Sequence, residues 1–128
     1  MLKARGVPVV FCTSKTLAEA ALWAERLDCP GPHIVENGGG IAWPRDLPLP
    51  DGVAGEIEEG WTIVPLGAPY DSLRAALRDI ASDAGCRLSG LGDWTVAEIA
   101  MLTGLPMEEA GRARQRRFDE PFRIIGAD

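Results

Sequence analysis

One feature near the start of this chain limits its folds most: an apolar run over residues 7–12, Val-Pro-Val-Val-Phe-Cys, enters a hydroxyl-rich turn, Thr13-Ser14-Lys15-Thr16. An alanine-rich helical stretch follows over about 17–28. A continuous apolar run suits a strand buried on both faces of a parallel sheet. A strand feeding a helix predicts a βαβ unit and an α/β fold. Thr16 and Glu19 have the spacing of a capping box, which puts the helix start at the hydroxyl cluster. Ahead of the run, Met1 to Arg5 ending at Gly6 reads as the last turn of a helix, so the polypeptide is expected to begin inside a βαβ unit.

A strand, a hydroxyl turn and a helix N-terminus together favour anion binding. Unpaired backbone N–H groups and the positive end of the helix dipole converge there, and Thr13, Ser14 and Lys15 add donors and a charge. Lys15 stands out because only Lys3 and Lys15 are lysines among 13 cationic residues. The turn lacks the glycines of a G-x-x-x-x-G-K-[ST] loop, and its hydroxyls would serve equally as helix caps, so both readings stay open. A short strand over His33 to Glu36 then leads into Asn37-Gly38-Gly39-Gly40 and the apolar Ile41-Ala42-Trp43. Asn-Gly between apolar runs signals a hairpin. Consecutive glycines beside a carboxylate also let a ligand or another backbone come close.

Residues 44–60 read as a connection between two domains, with Pro44, Pro48 and Pro50, an Asp51-Gly52 turn, and the acidic Glu56, Glu58 and Glu59. Beyond it a strand is expected over 61–66. Leu73, Ala76, Leu77, Ile80, Ala81 and Ala84 form a helical stripe, and Cys86 to Ser89 a further strand. Thr95 and Glu98 open a helix that Gly104 stops. Pro106 fits the first turn of another, with Glu108 and Glu109 at its start and Arg112, Arg114, Arg116 and Arg117 at its end, where a solvated basic face is the simplest expectation. Phe122 to Ile125 is a last strand. This order describes a small α+β module over 61–128.

Length and charge exclude several classes. At 128 residues the chain allows one domain and a fraction. Thirteen basic against 19 acidic residues leave a net charge of −6, which argues against general nucleic-acid binding. Cys12, Cys29 and Cys86 are odd in number and widely spaced, with His33 the sole histidine, so neither a zinc site nor a disulfide framework can be drawn. Reduced, buried thiols are expected. No apolar run approaches the ~20 residues of a membrane helix, and the first residues lack the apolar stretch of a signal peptide. A soluble, cytoplasmic protein with no membrane partner is the expectation.

Four segments in order carry a family resemblance: Val9-Val10-Phe11-Cys12-Thr13-Ser14-Lys15-Thr16; Ile34-Val35-Glu36-Asn37-Gly38-Gly39; Gly92-Asp93-Trp94-Thr95-Val96-Ala97-Glu98-Ile99 with Leu102-Thr103-Gly104-Leu105-Pro106; and Arg116-Arg117-Phe118-Asp119-Glu120-Pro121-Phe122. Together they resemble the mannosyl-3-phosphoglycerate phosphatases, magnesium-dependent phosphatases of the haloacid dehalogenase (HAD) superfamily with an α+β type IIB cap. The resemblance implies a partial HAD-like, Rossmannoid core unit over 1–43, a linker over 44–60 and a cap over 61–128. It implies that the Thr13 hydroxyl orients the transferring phosphoryl group, with Ser14 and Lys15 alongside. Glu36, Asn37, Gly38 and Gly39 would lie where the core leads into the cap and bind phosphate or substrate, as would Arg116 and Asp119 on a cap segment facing the substrate. Arginine suits glycerate carboxylate and phosphate oxygens.

The departures are as informative. No Asp-x-Asp occurs, so the family's nucleophile and general acid are absent, and no lysine follows Lys15. Gly92-Asp93 continues into Trp-Thr-Val and is no metal motif, and Arg117 stands where the family usually carries Glu. Metal ligands are therefore not expected within this chain. It should be an inactive internal fragment of a magnesium-dependent phosphatase whose substrate is a small sugar phosphate. Two alternatives remain: another sugar-phosphate phosphatase of the superfamily, or a non-catalytic sugar-phosphate binding module. A truncated sheet would also expose the strand at 7–12, predicting self-association.

Overall fold

The computed structural model describes residues 3–127. Among the described residues, four α-helices and two antiparallel sheets make a mixed α/β fold. In chain order they are α1 (Leu17–Arg26), β1 (His33–Val35), β2 (Gly40–Pro44), β3 (Glu56–Glu58), β4 (Trp61–Pro65), α2 (Tyr70–Asp83), β5 (Cys86–Gly90), α3 (Val96–Thr103), α4 (Met107–Ala113) and β6 (Phe122–Ala127). The first sheet has the order β1-β2-β4-β3, and the second pairs β5 with β6.

Local chemistry explains where the helices start and stop. Thr16 caps α1 and Thr95 caps α3, each in a reciprocal capping box with Glu19 or Glu98. Gly104 ends α3 in the left-handed conformation at φ 73°, which an L side chain resists. Two apolar clusters hold the fold. Ala20 of α1 meets Val35, Ala42 and Ile63 of the first sheet, and Leu17, Trp61 and Phe118 pack against them. Leu91, Ile99 and Ala110 form the second cluster, with Trp94, Val96 and Leu105 around it. Phe118 belongs to the loop after α4, so the first cluster joins distant parts of the chain.

Three expectations need correcting. Residues 7–12 do not form a strand buried on both faces: Cys12 alone makes a β-bridge, parallel, to Ile34, and Val7, Val9 and Val10 are 38–47% exposed. The segment runs beside β1, with Ile34 N–H donating to the Phe11 carbonyl (2.8 Å) and Thr13 N–H to the Ile34 carbonyl (3.0 Å). Pairing along one edge leaves Val7, Val9 and Val10 without cover. The expected linker at 44–60 contains β3, whose register pairs Glu56 with Ile63 and Glu58 with Trp61. Because β2 also pairs with β4, one sheet runs across that connection. The thiols are free as expected, but Cys12 is exposed and Cys86 half-buried, and only Cys29 lies in the core. Lys3–Arg5 form a short 3₁₀ turn, and the expected helical residues Met1 and Leu2 lie outside the described residues.

His33 fastens the 7–12 segment to the first sheet. Its imidazole is fully buried and stacks on Phe11 at 4.4 Å between ring centroids. Nδ1 accepts from the Phe11 N–H (3.3 Å) and Nε2 faces the Cys29 carbonyl (3.0 Å), an arrangement that suits the neutral ring with its proton on Nε2. Burial lowers its pKa, outweighing the Cys29 carbonyl. Below the unfolded value near 6.5 the unfolded chain binds the proton first. Stability attributable to His33 is thus present at neutral pH and falls as pH drops below about 6.5, until the folded ring titrates in turn. Denaturant midpoints at pH 7.5 and 5.5 should differ in the native chain, with a smaller difference in His33→Phe.

Candidate functional site

The turn predicted from sequence is held by its own backbone and by the loop after β1. Lys15 N–H donates to Thr13 Oγ1 (3.1 Å), Asn37 N–H to the Thr13 carbonyl (3.1 Å), and Glu36 N–H to the Lys15 carbonyl (2.9 Å). Thr16 is fully buried, and its hydroxyl reaches the Arg112 carbonyl at the end of α4 (2.9 Å). Thr13 and Lys15 border a groove of about 420 Å³ whose walls include Val10, Cys12, Trp23 and Leu27. The Lys15 ammonium pairs with Glu19 Oε1 (2.9 Å) over the first turn of α1 and remains 41% exposed.

Glu36 is the hinge of the arrangement. It and Asn37 take left-handed backbone conformations, φ 49° and 56°, between β1 and β2. Such angles are uncommon outside glycine, and they turn the Glu36 side chain inward here. The carboxylate is almost completely buried, and Oε2 accepts from three successive backbone N–H groups: Arg117 (2.9 Å), Phe118 (2.7 Å) and Asp119 (3.2 Å). Oε1 has no hydrogen-bond partner among the described residues. Burial raises the Glu36 pKa, and the nearby Asp119 carboxylate adds to this against the three amides. Glu36 is thereby placed to hold the loop.

The loop after α4 completes the site. The helix ends at Ala113, so Arg116 and Arg117 are not the solvated basic end of a helix but lie in the connection to β6. The Arg116 side chain is 10% exposed; it donates to the Ala113 carbonyl (3.0 Å), the Ser14 carbonyl (2.7 Å) and Asp119 Oδ1 (2.9 Å). Asp119 Oδ2 in turn accepts from the Asn37 amide (2.7 Å). Arg117 points the other way and pairs with Glu56 (2.9 Å) and Glu58 of β3. Those acids are the partners that an arginine needs at this position.

Thr13, Ser14, Lys15, Glu36, Asn37, Arg116 and Asp119 are therefore brought together, although up to 102 residues separate the bonded pair Ser14 and Arg116. Gly39 is part of the joint: a Cβ there would sit 2.4 Å from the Phe118 Cβ. Gly38 (φ 92°) supplies turn conformation and meets nothing within 4 Å. Sequence reasoning missed the contributions of Glu56 and Glu58, whose only signal was an acidic pair two residues apart. It also missed Phe118, whose ring lies over Gly40.

Magnesium requires several open oxygen ligands. Among the described residues no three His, Cys, Asp or Glu side chains are grouped as a metal site. The carboxylates nearest the turn are bound to Lys15 and Thr16, to backbone amides, to Asn37 and to Arg116. These residues do not fit the ion. Among the described residues, no helix is long and apolar enough to cross a membrane.

No protein-family model matches the chain. Curated proteins do. A glucosyl-3-phosphoglycerate/mannosyl-3-phosphoglycerate phosphatase of Methanococcoides burtonii is 36% identical over 127 residues, covering 97% of this chain and 46% of that protein. One of the same name from Persephonella marina is 36% identical, covering 96% of this chain and 45% of its own length. A mannosyl-3-phosphoglycerate phosphatase of Pyrococcus furiosus is 34% identical over 93% of this chain and 48% of that protein. The chain spans just under half the length of these relatives. With the turn, the Glu36 hinge and the Arg116–Asp119 loop meeting in one place, and with 93–97% of the chain aligned to these relatives at 34–36% identity, the chain belongs to the mannosyl-3-phosphoglycerate phosphatase family.

Proposed function

We propose that this chain carries the phosphate-orienting part of a phosphomonoester hydrolase of the HAD superfamily. The whole protein would convert mannosyl-3-phosphoglycerate and water to mannosylglycerate and phosphate. The observation that carries the reading is the junction of the Thr13 turn, at the N-terminus of α1, with the Arg116–Asp119 loop. Thr13 and Ser14 would hold phosphoryl oxygens there with the α1 amides, and Lys15 would add positive charge. Arg116, Asp119 and Asn37 would face the organic part of the ester, Gly38 would leave it room, and Gly39 would let the Phe118 loop close beside it. The first sheet with α1 would belong to the core, and the β5–β6 sheet with α2, α3 and α4 to the cap.

The chain supplies binding and orientation, not the attacking group, since it contains no Asp-x-Asp. Magnesium remains the proposed cofactor of the whole protein, with its ligands outside these residues, where it would neutralise phosphoryl charge. Two measurements test the reading. Purified chain with magnesium and an aryl phosphate should show no turnover, and turnover from a clean preparation would overturn the account. Calorimetry should detect phosphate binding that Thr13→Val weakens about tenfold, the usual scale of one hydrogen bond to a charged group; equal affinity would remove Thr13 from the site. Retained binding without turnover also fits the non-catalytic binding module, which the intact gene product would exclude by hydrolysing the ester.

The exposed Val7, Val9 and Val10 support a second proposal, that copies of the chain associate through this segment. Sedimentation should show mass rising with concentration, and Val9→Lys should abolish the rise. A monomer at high concentration would refute it.

A further inference from the structure

We infer that Glu120 and Arg74 are positioning residues that set where the 114–121 loop presents Arg116 and Asp119 to the Thr13 turn. Glu36 grips this loop from the first sheet, and the second sheet grips it through Glu120. The Glu120 side chain is only 4% exposed. Its Oε1 accepts from Gly92 N–H (3.0 Å) and from Arg74 Nη1 (3.2 Å). The neighbouring Pro121 carbonyl accepts from Leu91 N–H (2.9 Å). Arg74 also pairs with Asp93, whose Oδ2 accepts from Gly90 N–H (2.8 Å). One arginine of α2 thus binds both the β5–α3 turn and the loop that carries Arg116 and Asp119.

The packing is built around that carboxylate. A Cβ at Gly90 would lie 2.0 Å from Glu120 Oε1, and one at Gly92 would lie 2.5 Å from the Tyr70 hydroxyl. The two glycines make room for the side chains that enter between α2 and the turn. A buried carboxylate is costly unless paired, so Arg74 is what allows Glu120 to stay inside. Glu120 is adjacent to Asp119, and the three amides preceding it are those held by Glu36. A shift at Glu120 therefore moves the Arg116–Asp119 pair directly.

The functional half of this inference rests on the proposed phosphoester reading; the structural half does not. Amide hydrogen exchange of the purified chain is the test, with Glu120→Gln, the double variant Arg74→Met/Glu120→Gln and the conservative Arg74→Lys. The double variant leaves no unpaired buried charge and so guards against simple unfolding. Exchange at the amides of 117–119 should rise at least about tenfold in the first two, with Ala20 in α1 unchanged, and Arg74→Lys should stay near the native rate. Affinity for mannosyl-3-phosphoglycerate should fall about tenfold while that for inorganic phosphate holds. Native exchange at 117–119, or a rise equal to that at Ala20, would overturn the inference. If the native chain binds neither ligand, the phosphoester reading fails and the exchange result alone decides the positioning role.

Discussion

Replacing Glu36 with alanine should cost about 3 kcal/mol of folding stability, because three amides of the 114–121 loop lose their common acceptor in a nearly closed site. The loss should appear as a lower denaturant midpoint and as weaker binding of any ligand that reaches Arg116 or Asp119. Glu36→Gln keeps an acceptor oxygen and should cost much less. It should also change the pH profile. The folded pKa of Glu36 is raised, chiefly by burial. The folded state therefore holds this proton at pH values where the unfolded chain has released it, and the Glu36 contribution to stability falls as pH climbs from the ordinary carboxyl value through the raised one. The glutamine variant should lack that decline. A loss below about 1 kcal/mol in Glu36→Ala would mean that the loop is held by something else.

The second large effect is expected at Gly39. Its backbone is ordinary, φ −68°, so conformational freedom is not what glycine provides here. The reason is contact: an added Cβ would lie 2.4 Å from the Phe118 Cβ and 3.0 Å from the Phe118 carbonyl oxygen, atoms close to or within the backbone. Gly39→Ala must push the loop away from β2 and should cost about 2–3 kcal/mol, the upper part of the usual range for overpacking. Gly38→Ala is the control. Space is open there, and only the positive φ resists, so about 1 kcal/mol is expected. Similar losses at the two positions by chemical denaturation would show that backbone strain governs, and would refute the packing account.

Features written in short-range chemistry were legible in the sequence. The capping boxes at Thr16 and Thr95, the stop at Gly104 and the helices between them depend on residues a few positions apart, and all formed as expected. The β1–β2 hairpin followed from its Asn-Gly signal. The three-residue β3 did not, because every residue in it is exposed and the single apolar Ile57 between two glutamates is too short an alternation to read. Residues 7–12 misled for the opposite reason: an apolar run states what the segment tolerates, whereas burial depends on what lies against it. That the Thr13 turn would meet the Arg116–Asp119 loop was not legible, because the contact joins residues about 100 positions apart. The family resemblance named Glu36, Arg116 and Asp119, but nothing local indicates that Glu36 would meet three amides more than 80 positions away. Nor does local sequence pair Arg74 with Glu120.

The bond from Arg116 to the Ser14 carbonyl has a kinetic consequence. Closing a loop of about 100 residues carries an entropy cost that local turns do not, and contacts of such high sequence separation tend to form late. α1 and the hairpins can form before the C-terminal third of the chain arrives, but the site cannot. A ligand that bridges the Thr13 turn and the Arg116 loop would act as a second clasp on the same closure. Its binding should slow unfolding more than it speeds folding, because it engages only after the two ends have met.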